Sequence, residues 1–351
     1  MNIYIGLELG GKNVKIAVAE RINKKVNFIL ADQLSVSTLH ESAYDVNLLL
    51  QRKVGVEKLK YTEAVLVSSS ATVAYGSLLD GLREVDMMVK GLIKDFSRDL
   101  SVLFISRDGK FHDIKTIDSE IQENPRAIYK YIDAYWYAPA KMAGKIFKIK
   151  DFVYVDMGSS SMSIIPMVNE IPVIDPLENR LISGKLIPIG VRYTPLIYLS
   201  NEVNLKGRRF KAFPYIRAFT SDMLAVRDNA DERIKRRALW ALARTIAEDV
   251  SFVEEDTLEE LACFFYRCMK KIIEDGVRDI VSNFFTDRNV PLVVTGTGSN
   301  LLHEVLQNDY QCYHMNMENT HGSLGLLYYF LEDICKYNIE EGFECVKQSA
   351  K

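Results

Sequence analysis

The sequence predicts an α/β protein built from two lobes of one pattern, and three observations carry the prediction. The first is a repeated segment. Ile3-Tyr-Ile-Gly-Leu-Glu8-Leu-Gly10-Gly11-Lys-Asn13-Val-Lys15-Ile-Ala-Val18 and Phe152-Val-Tyr-Val-Asp156-Met-Gly158-Ser159-Ser160-Ser161-Met-Ser-Ile-Ile165 share one plan: apolar run, acid, spacer, glycine, polar turn, apolar run. Each reads as a strand, a tight turn and a returning strand. The second is length, because 351 residues exceed one ordinary core. The third is the alternation of strand-like runs with helix-period stretches after each hairpin.

In the first lobe, Val26–Leu30 is a third strand, and Asp45–Gln51 is short and left unassigned. Tyr61–Ser70 has a buried-strand core, Ala64-Val-Leu-Val67, that ends in serines. A helix is predicted from Gly81 to Phe96, with Leu82, Val85, Met88, Val89 and Leu92 at three-four spacing. Val102–Ile105 is a strand, and Lys110–Lys115 a short turn-linked one. Asn124-Pro125 then opens a helix through Phe147, with Pro125 at a natural first-turn position. A β-meander followed by αβ units is the layout of a ribonuclease-H-like lobe. The first lobe is placed at residues 1–150.

The second lobe is placed at 151–325, and 326–351 form a C-terminal helix and tail able to pack back on the first lobe. Ile171–Asp175 and Leu186–Ile189 read as strands, and Gly190 to Pro195 as a turn. Lys206–Pro214 reads as an exposed basic loop. A helix runs from Asp231 to Val250, and its basic start opposes the helix dipole. That start is either a solvated face or an anion contact. A second helix is expected to open at a capping box from Asp256 or Thr257 to Glu259 or Glu260, and to run to Phe285. Pro291 to Thr295 is a buried strand entering Gly296-Thr-Gly298, and the last helix is Leu326–Lys336.

Composition excludes several classes. Hydrophobic content of 48% with 26% charged residues is that of a soluble globular protein. A net charge of −3 gives no pull toward nucleic acid or an anionic membrane. No apolar run approaches a membrane span, and no secretory leader is read at Met1. The five cysteines show no C-x-x-C pair and the five histidines no H-E-x-x-H pattern, so reduced thiols in a cytoplasmic protein are expected. The oligomeric state is open, with a homodimer one option.

Glu8 and Asp156 are the sharpest chemical candidates. A carboxylate at a strand end beside glycines can hold Mg²⁺ through water, and the ion would neutralise a diphosphate. The plainer alternative is a turn-capping acid with a glycine that supplies positive φ. Two such hairpins facing one cleft would grip a phosphorylated small molecule. Gly10, Gly11, Asn13, Gly158, Ser159, Ser160 and Ser161 would supply donors, and Lys15 a positive charge. Gly296 and Gly298 let a ligand approach a helix start. They lack the third glycine of a dinucleotide fingerprint, and no P-loop or G-x-S-x-G elbow occurs. Trp136, set among tyrosines, is either core or an aromatic wall, and Asp222 stands between helical and loop patterns.

The opening from Ile5 to Lys15 resembles the G-[LI]-D-I-G-G-A-N-T-K start of the hydantoinase A/oxoprolinase family, within the actin-like ATPase and sugar-kinase superfamily. Val155 to Pro166 resembles its V-D-[IM]-G-S-T-T-T-D-I-I-P segment. Arg180-Leu181, Gly190 to Thr194-Pro195, Phe219 to Asp222 and Val294-Thr-Gly296 fall in the order of one branch. That branch holds methanofuran biosynthesis condensing enzymes and proteins linked to tetrahydromethanopterin one-carbon metabolism. The resemblance implies two ribonuclease-H-like lobes around a central cleft. It also implies a metal-dependent transferase in which a phenol such as γ-glutamyltyramine displaces diphosphate from a furan-methyl diphosphate. It extends substrate-pocket roles to Arg180, Thr194 and Asp222 beside Trp136. This chain departs at Glu8, where the family has Asp, and at Ser163, where it has an acid. Tyr193 and Tyr135 depart too, standing where the family has Arg and Asn. An ATP-dependent hydrolase or kinase-like enzyme on a cyclic amide, and a non-catalytic ligand-binding relative, stay open. Whether ATP binds is undecided.

Overall fold

The computed structural model describes residues 1–10, 13–23, 25–35, 39–69, 77–93, 96, 100–213, 215, 217–287, 289–315, 317, 320–337 and 339. The chain forms two compact units. Met1–Phe152, Met167–Asn179 and Met315–Lys351 make the first, and Val153–Pro166 with Arg180–His314 the second. Residues 167–179 and 315–325, assigned to the second lobe from sequence, thus belong with the first.

Unit 1 begins with β1 (Asn2–Leu9), β2 (Asn13–Ile22) and β3 (Lys25–Ser35). Residues 3–9 of β1 are buried, which accounts for a run apolar on both faces. β1 and β2 pair antiparallel with Glu8 opposite Lys15, and β3 pairs antiparallel with β2. After α1 (Leu39–Lys53) and α2 (Val56–Leu59), β4 (Thr62–Ser69) runs parallel to β1 and sets Ser68 beside Glu8. α3 (Leu78–Ile93) buries Leu82, Val85, Met88, Val89 and Leu92, the predicted stripe. β5 (Ser101–Ile105) joins parallel to β4, and β6 (Phe111–His112) antiparallel to β5.

α4 (Ile114–Glu123) is capped by Asp113, which accepts the Thr116 N–H at 2.8 Å. The single helix expected from Asn124 to Phe147 is broken. A 3₁₀ turn at Pro125–Ala127 runs into α5 (Ile128–Tyr131), and α6 (Tyr137–Phe147) starts afresh. Asp133 between them has φ of 56°, a left-handed conformation that a right-handed helix cannot contain.

The second hairpin is β7 (Phe152–Met157) and β8 (Met162–Val168). β9 (Ile171–Pro172) and β10 (Leu186–Ile187) both pair with β8 and are shorter than predicted. The Ile189 N–H bonds back to the Ile187 carbonyl at 2.8 Å and ends β10. The expected basic loop is a hairpin of β11 (Glu202–Leu205) and β12 (Arg208–Lys211), turned by positive φ at Lys206 and Gly207. α7 (Thr220–Arg227) and α8 (Glu232–Thr245) follow, and Asp231 caps α8 by accepting the Arg233 N–H.

α9 (Glu255–Phe284) starts ahead of the expected capping box, because the Thr257 and Leu258 N–H groups already reach the Glu254 carbonyl. Its stripe from Leu258 through Phe265 and Met269 to Val277 and Val281 lies in the core of unit 2. β13 (Leu292–Thr295) runs parallel to β7 and puts Thr295 beside Asp156. α10 (Ser299–Leu306) leads to β14 (Cys312–His314), parallel to β13. α11 (His321–Tyr328) begins before the predicted Leu326, lies against β1, β2 and α6, and ends in a π-helical turn at Tyr329–Ile334.

The sheets read β3-β2-β1-β4-β5-β6 and β10-β8-β7-β13-β14, with β9 beside β8. In each, the first hairpin strand has its returning partner on one side and a parallel strand on the other. The ribonuclease-H-like order therefore occurs twice, as the repeated segment predicts. Among the described residues, no helix is long and apolar enough to cross a membrane.

Candidate functional site

The two hairpin turns are closed by the same hydrogen bond. Gly10 N–H donates to the Asn13 carbonyl at 2.9 Å, and Gly158 N–H to the Ser161 carbonyl at 2.8 Å. These two amides therefore serve the turns, which corrects their expected role as phosphate donors. Gly11 lies outside the described residues. Two positions before each closing glycine stands a buried carboxylate, Glu8 or Asp156.

In unit 1, Lys15 Nζ lies 2.5 Å from Glu8 Oε1, so the lysine expected to meet a phosphate neutralises the acid opposite it. Glu8 Oε2 is buried with no hydrogen-bond partner among the described residues. It lies against the first turn of α11, where a Cβ on Gly322 would fall 1.2 Å from it. Asn13 begins β2, and its Oδ1 accepts the Ser35 hydroxyl at 3.2 Å.

In unit 2, Asp156 lies against the loop that leaves β13. A Cβ on Gly296 would fall 2.3 Å from Asp156 Oδ1, and Gly296 has φ of 88°. Both facts demand glycine. Gly298 N–H donates to the Met157 carbonyl at 2.8 Å, and Gly298 stands at the N-terminus of α10. On the other side, residues 190–193 press on the turn. A Cβ on Gly190 would sit 2.3 Å from the Ser160 nitrogen. Val191 N–H donates to the Gly158 carbonyl, and Arg192 and Tyr193 N–H both donate to the Ser159 carbonyl at 3.0 Å. Asp156, Ser159, Ser160, Ser161, Gly296 and Gly298 thus share one locality. Thr194 is buried and its Oγ1 accepts the Gly190 N–H at 2.8 Å, so it shapes this segment instead of facing a substrate.

The same segment borders a pocket of about 380 Å³ in unit 2. Tyr193, Tyr215, Phe219 and Trp240 supply aromatic walls, and Arg217 and Arg237 supply cations. Tyr193 meets Phe219 edge-on at 6.5 Å, and Tyr215 meets Trp240 edge-on at 6.2 Å. Asp222 also lines the pocket. It accepts the Phe219 N–H at 2.9 Å as the third residue of α7, and lies 3.9 Å from Arg237. Burial pushes its carboxyl above the usual aspartate range, against the opposing pull of that N–H and of Arg237.

Trp136 and Arg180 are not in this pocket. Trp136 is fully buried in unit 1, and its indole N–H donates to the Asp133 carbonyl at 2.8 Å. Arg180 is buried in unit 2 with its guanidinium 3.1 Å from Ser163 Oγ, where the resembling family has an acid.

No family model matches the chain. Over 321 residues it is 22% identical to a (4-{4-[2-(gamma-L-glutamylamino)ethyl]phenoxymethyl}furan-2-yl)methanamine synthase of Methanocaldococcus jannaschii, covering 87% of this chain and 88% of that protein. It is 26% identical over 170 residues to a synthase of the same name from Methanococcus vannielii, covering 45% of this chain and 75% of that protein. Among solved structures, nucleotide-free acetone carboxylase aligns with a TM-score of 0.51 at 10% identity, over 93% of this chain and 70% of that one. That likeness concerns the fold alone, and it agrees with the doubled sheet order.

Sequence reasoning missed most of the pocket. Its walls come from residues 193, 215, 219 and 240, which no short motif joins. One signal was available. Arg237, Trp240 and Ala241 recur at three-four spacing on the basic start of α8 and so share a helix face.

Proposed function

We propose that this chain is a condensing transferase. It joins a phenol to a furan-methyl diphosphate and releases diphosphate. The observation that carries the reading is similarity, over 87% of this chain and 88% of the relative, to a synthase whose name describes a phenoxymethyl-furan ether. The phenolic oxygen forms a bond to the furan-methyl carbon. The carbon–oxygen bond to diphosphate breaks with its electron pair on the leaving group, and the phenolic proton passes to a carboxylate.

The locality around Asp156 supports the diphosphate end. The Ser159–Ser161 hydroxyls suit an anion, as does the N-terminus of α10. Asp156 is the residue that would hold Mg²⁺, which would neutralise charge on the departing diphosphate. Gly296 packs so closely on its carboxylate that any Cβ there would collide. Glu8 is the weaker candidate for the ion, since Lys15 already balances its charge.

The test is direct. The full chain with Mg²⁺, an aminomethylfuran-methyl diphosphate and γ-glutamyltyramine should yield the ether by mass spectrometry. One diphosphate should appear per ether, without ATP, and Asp156→Asn should abolish turnover in a folded protein. Product that forms only with ATP, or no product with either, overturns the reading.

A further inference from the structure

We infer that the pocket walled by Tyr193, Tyr215, Phe219 and Trp240 binds an aromatic ring that carries a carboxylate. Three features select this class. The first is the lining: four aromatic side chains in two edge-on pairs, Tyr193 with Phe219 and Tyr215 with Trp240, border one pocket and offer apolar ring surface to an aromatic ligand. The pocket's volume of about 380 Å³ lies within the range of small-ligand sites.

The second feature is charge. Arg217 and Arg237 border the pocket, and Asp222 lies 3.9 Å from Arg237. One cation is thereby partly balanced, which leaves a net charge suited to a monoanion. A guanidinium binds a carboxylate with two parallel hydrogen bonds, and a carboxylate carries a single negative charge where a phosphate monoester carries about 1.5–2. The third feature is accessibility. Trp240 of α8 is 48% exposed and Tyr193 43% exposed, so large aromatic surface stands open at the pocket.

Binding of an aryl carboxylate follows from the pocket alone. Only its identity as the seat of the phenol partner rests on the condensing reading. In that reading Tyr193 links the two seats, because its backbone holds the Ser159 turn while its ring walls the pocket.

The test is calorimetric titration of the full chain with three probes: 3-(4-hydroxyphenyl)propionate, tyramine and hexanoate. The first should bind at least about tenfold more tightly than tyramine, which lacks the carboxylate, or hexanoate, which lacks the ring. Arg237→Ala and Trp240→Ala alter exposed side chains and should keep the wild-type melting profile. Each should weaken the aryl acid about tenfold, with Arg237→Lys in between. Arg217→Ala gives a second, independent loss if either variant melts early. No saturable binding of the aryl acid, equal binding of tyramine, or indifference to all three removals overturns the inference. Binding without ether formation leaves the pocket standing and defeats the condensing reading. Ether formation without aryl-acid binding does the reverse.

Discussion

Tyr193 and Ser159 are joined through the backbone: the Tyr193 N–H donates to the Ser159 carbonyl at 3.0 Å, while the Tyr193 ring meets Phe219. The segment that holds the serine turn therefore also builds the aromatic pocket. Gly190 is the close point of that contact. Gly190→Ala would place a Cβ 2.3 Å from the Ser160 nitrogen, where only backbone can yield. Overpacking of this kind costs about 1–3 kcal/mol, and urea unfolding should show a loss in that range. Affinity for Mg²⁺-diphosphate should fall as well. A variant with wild-type stability and affinity would mean the turn tolerates displacement.

Lys15 and Glu8 form an ion pair with side chains only 15% and 8% exposed. Lys15→Met leaves a buried carboxylate without its cation, a change that costs about 3–5 kcal/mol. Adding Glu8→Gln should recover much of that loss, since the orphaned charge is then gone. The double-mutant cycle measures the coupling, and simple additivity would refute it.

Asp222 gives a pH dependence. Its folded carboxyl titrates above the unfolded range because burial penalises the ionised form. Its contribution to stability is therefore full below the unfolded value of about 3.9 and is lost as pH rises through the folded value. Asp222→Asn keeps an acceptor for the Phe219 N–H and should be more stable than wild type near neutrality. The advantage should vanish as pH falls below about 3.9. An advantage that grows in acid would reverse the assignment.

Mass action provides a screen for the anion. With Mg²⁺ present, diphosphate should raise the melting temperature, and Asp156→Ala should remove the rise. Gly296→Ala should remove it too, since its Cβ would meet Asp156 Oδ1 and its φ of 88° disfavours any side chain. If ATP alone raises the melting temperature, the ATP-dependent alternative gains.

Much of the fold was legible because its signals are local. The apolar runs of β1 and β7, the acid-x-Gly turns and the stripe of α3 each need only neighbouring residues to specify them. The break at Asp133 was not legible, since only tertiary context holds that residue at positive φ. The two tryptophans show the same limit at the site. Trp136, set among tyrosines, leaves core and ligand wall both open in the sequence and proves to be core, whereas Trp240 lines the pocket with no motif to mark it. Burial depends on which elements pack together, and the chain order of a tryptophan does not encode that.

Gly322 carries a consequence for divergence. The long acid at position 8 reaches into space that any side chain at 322 would fill. The two positions should therefore change together. A homologue that keeps glutamate at 8 is bound to glycine at 322, while one with the shorter aspartate is released from it. Covariation between these distant columns, or tolerance of Gly322→Ala only alongside Glu8→Asp, would be its trace.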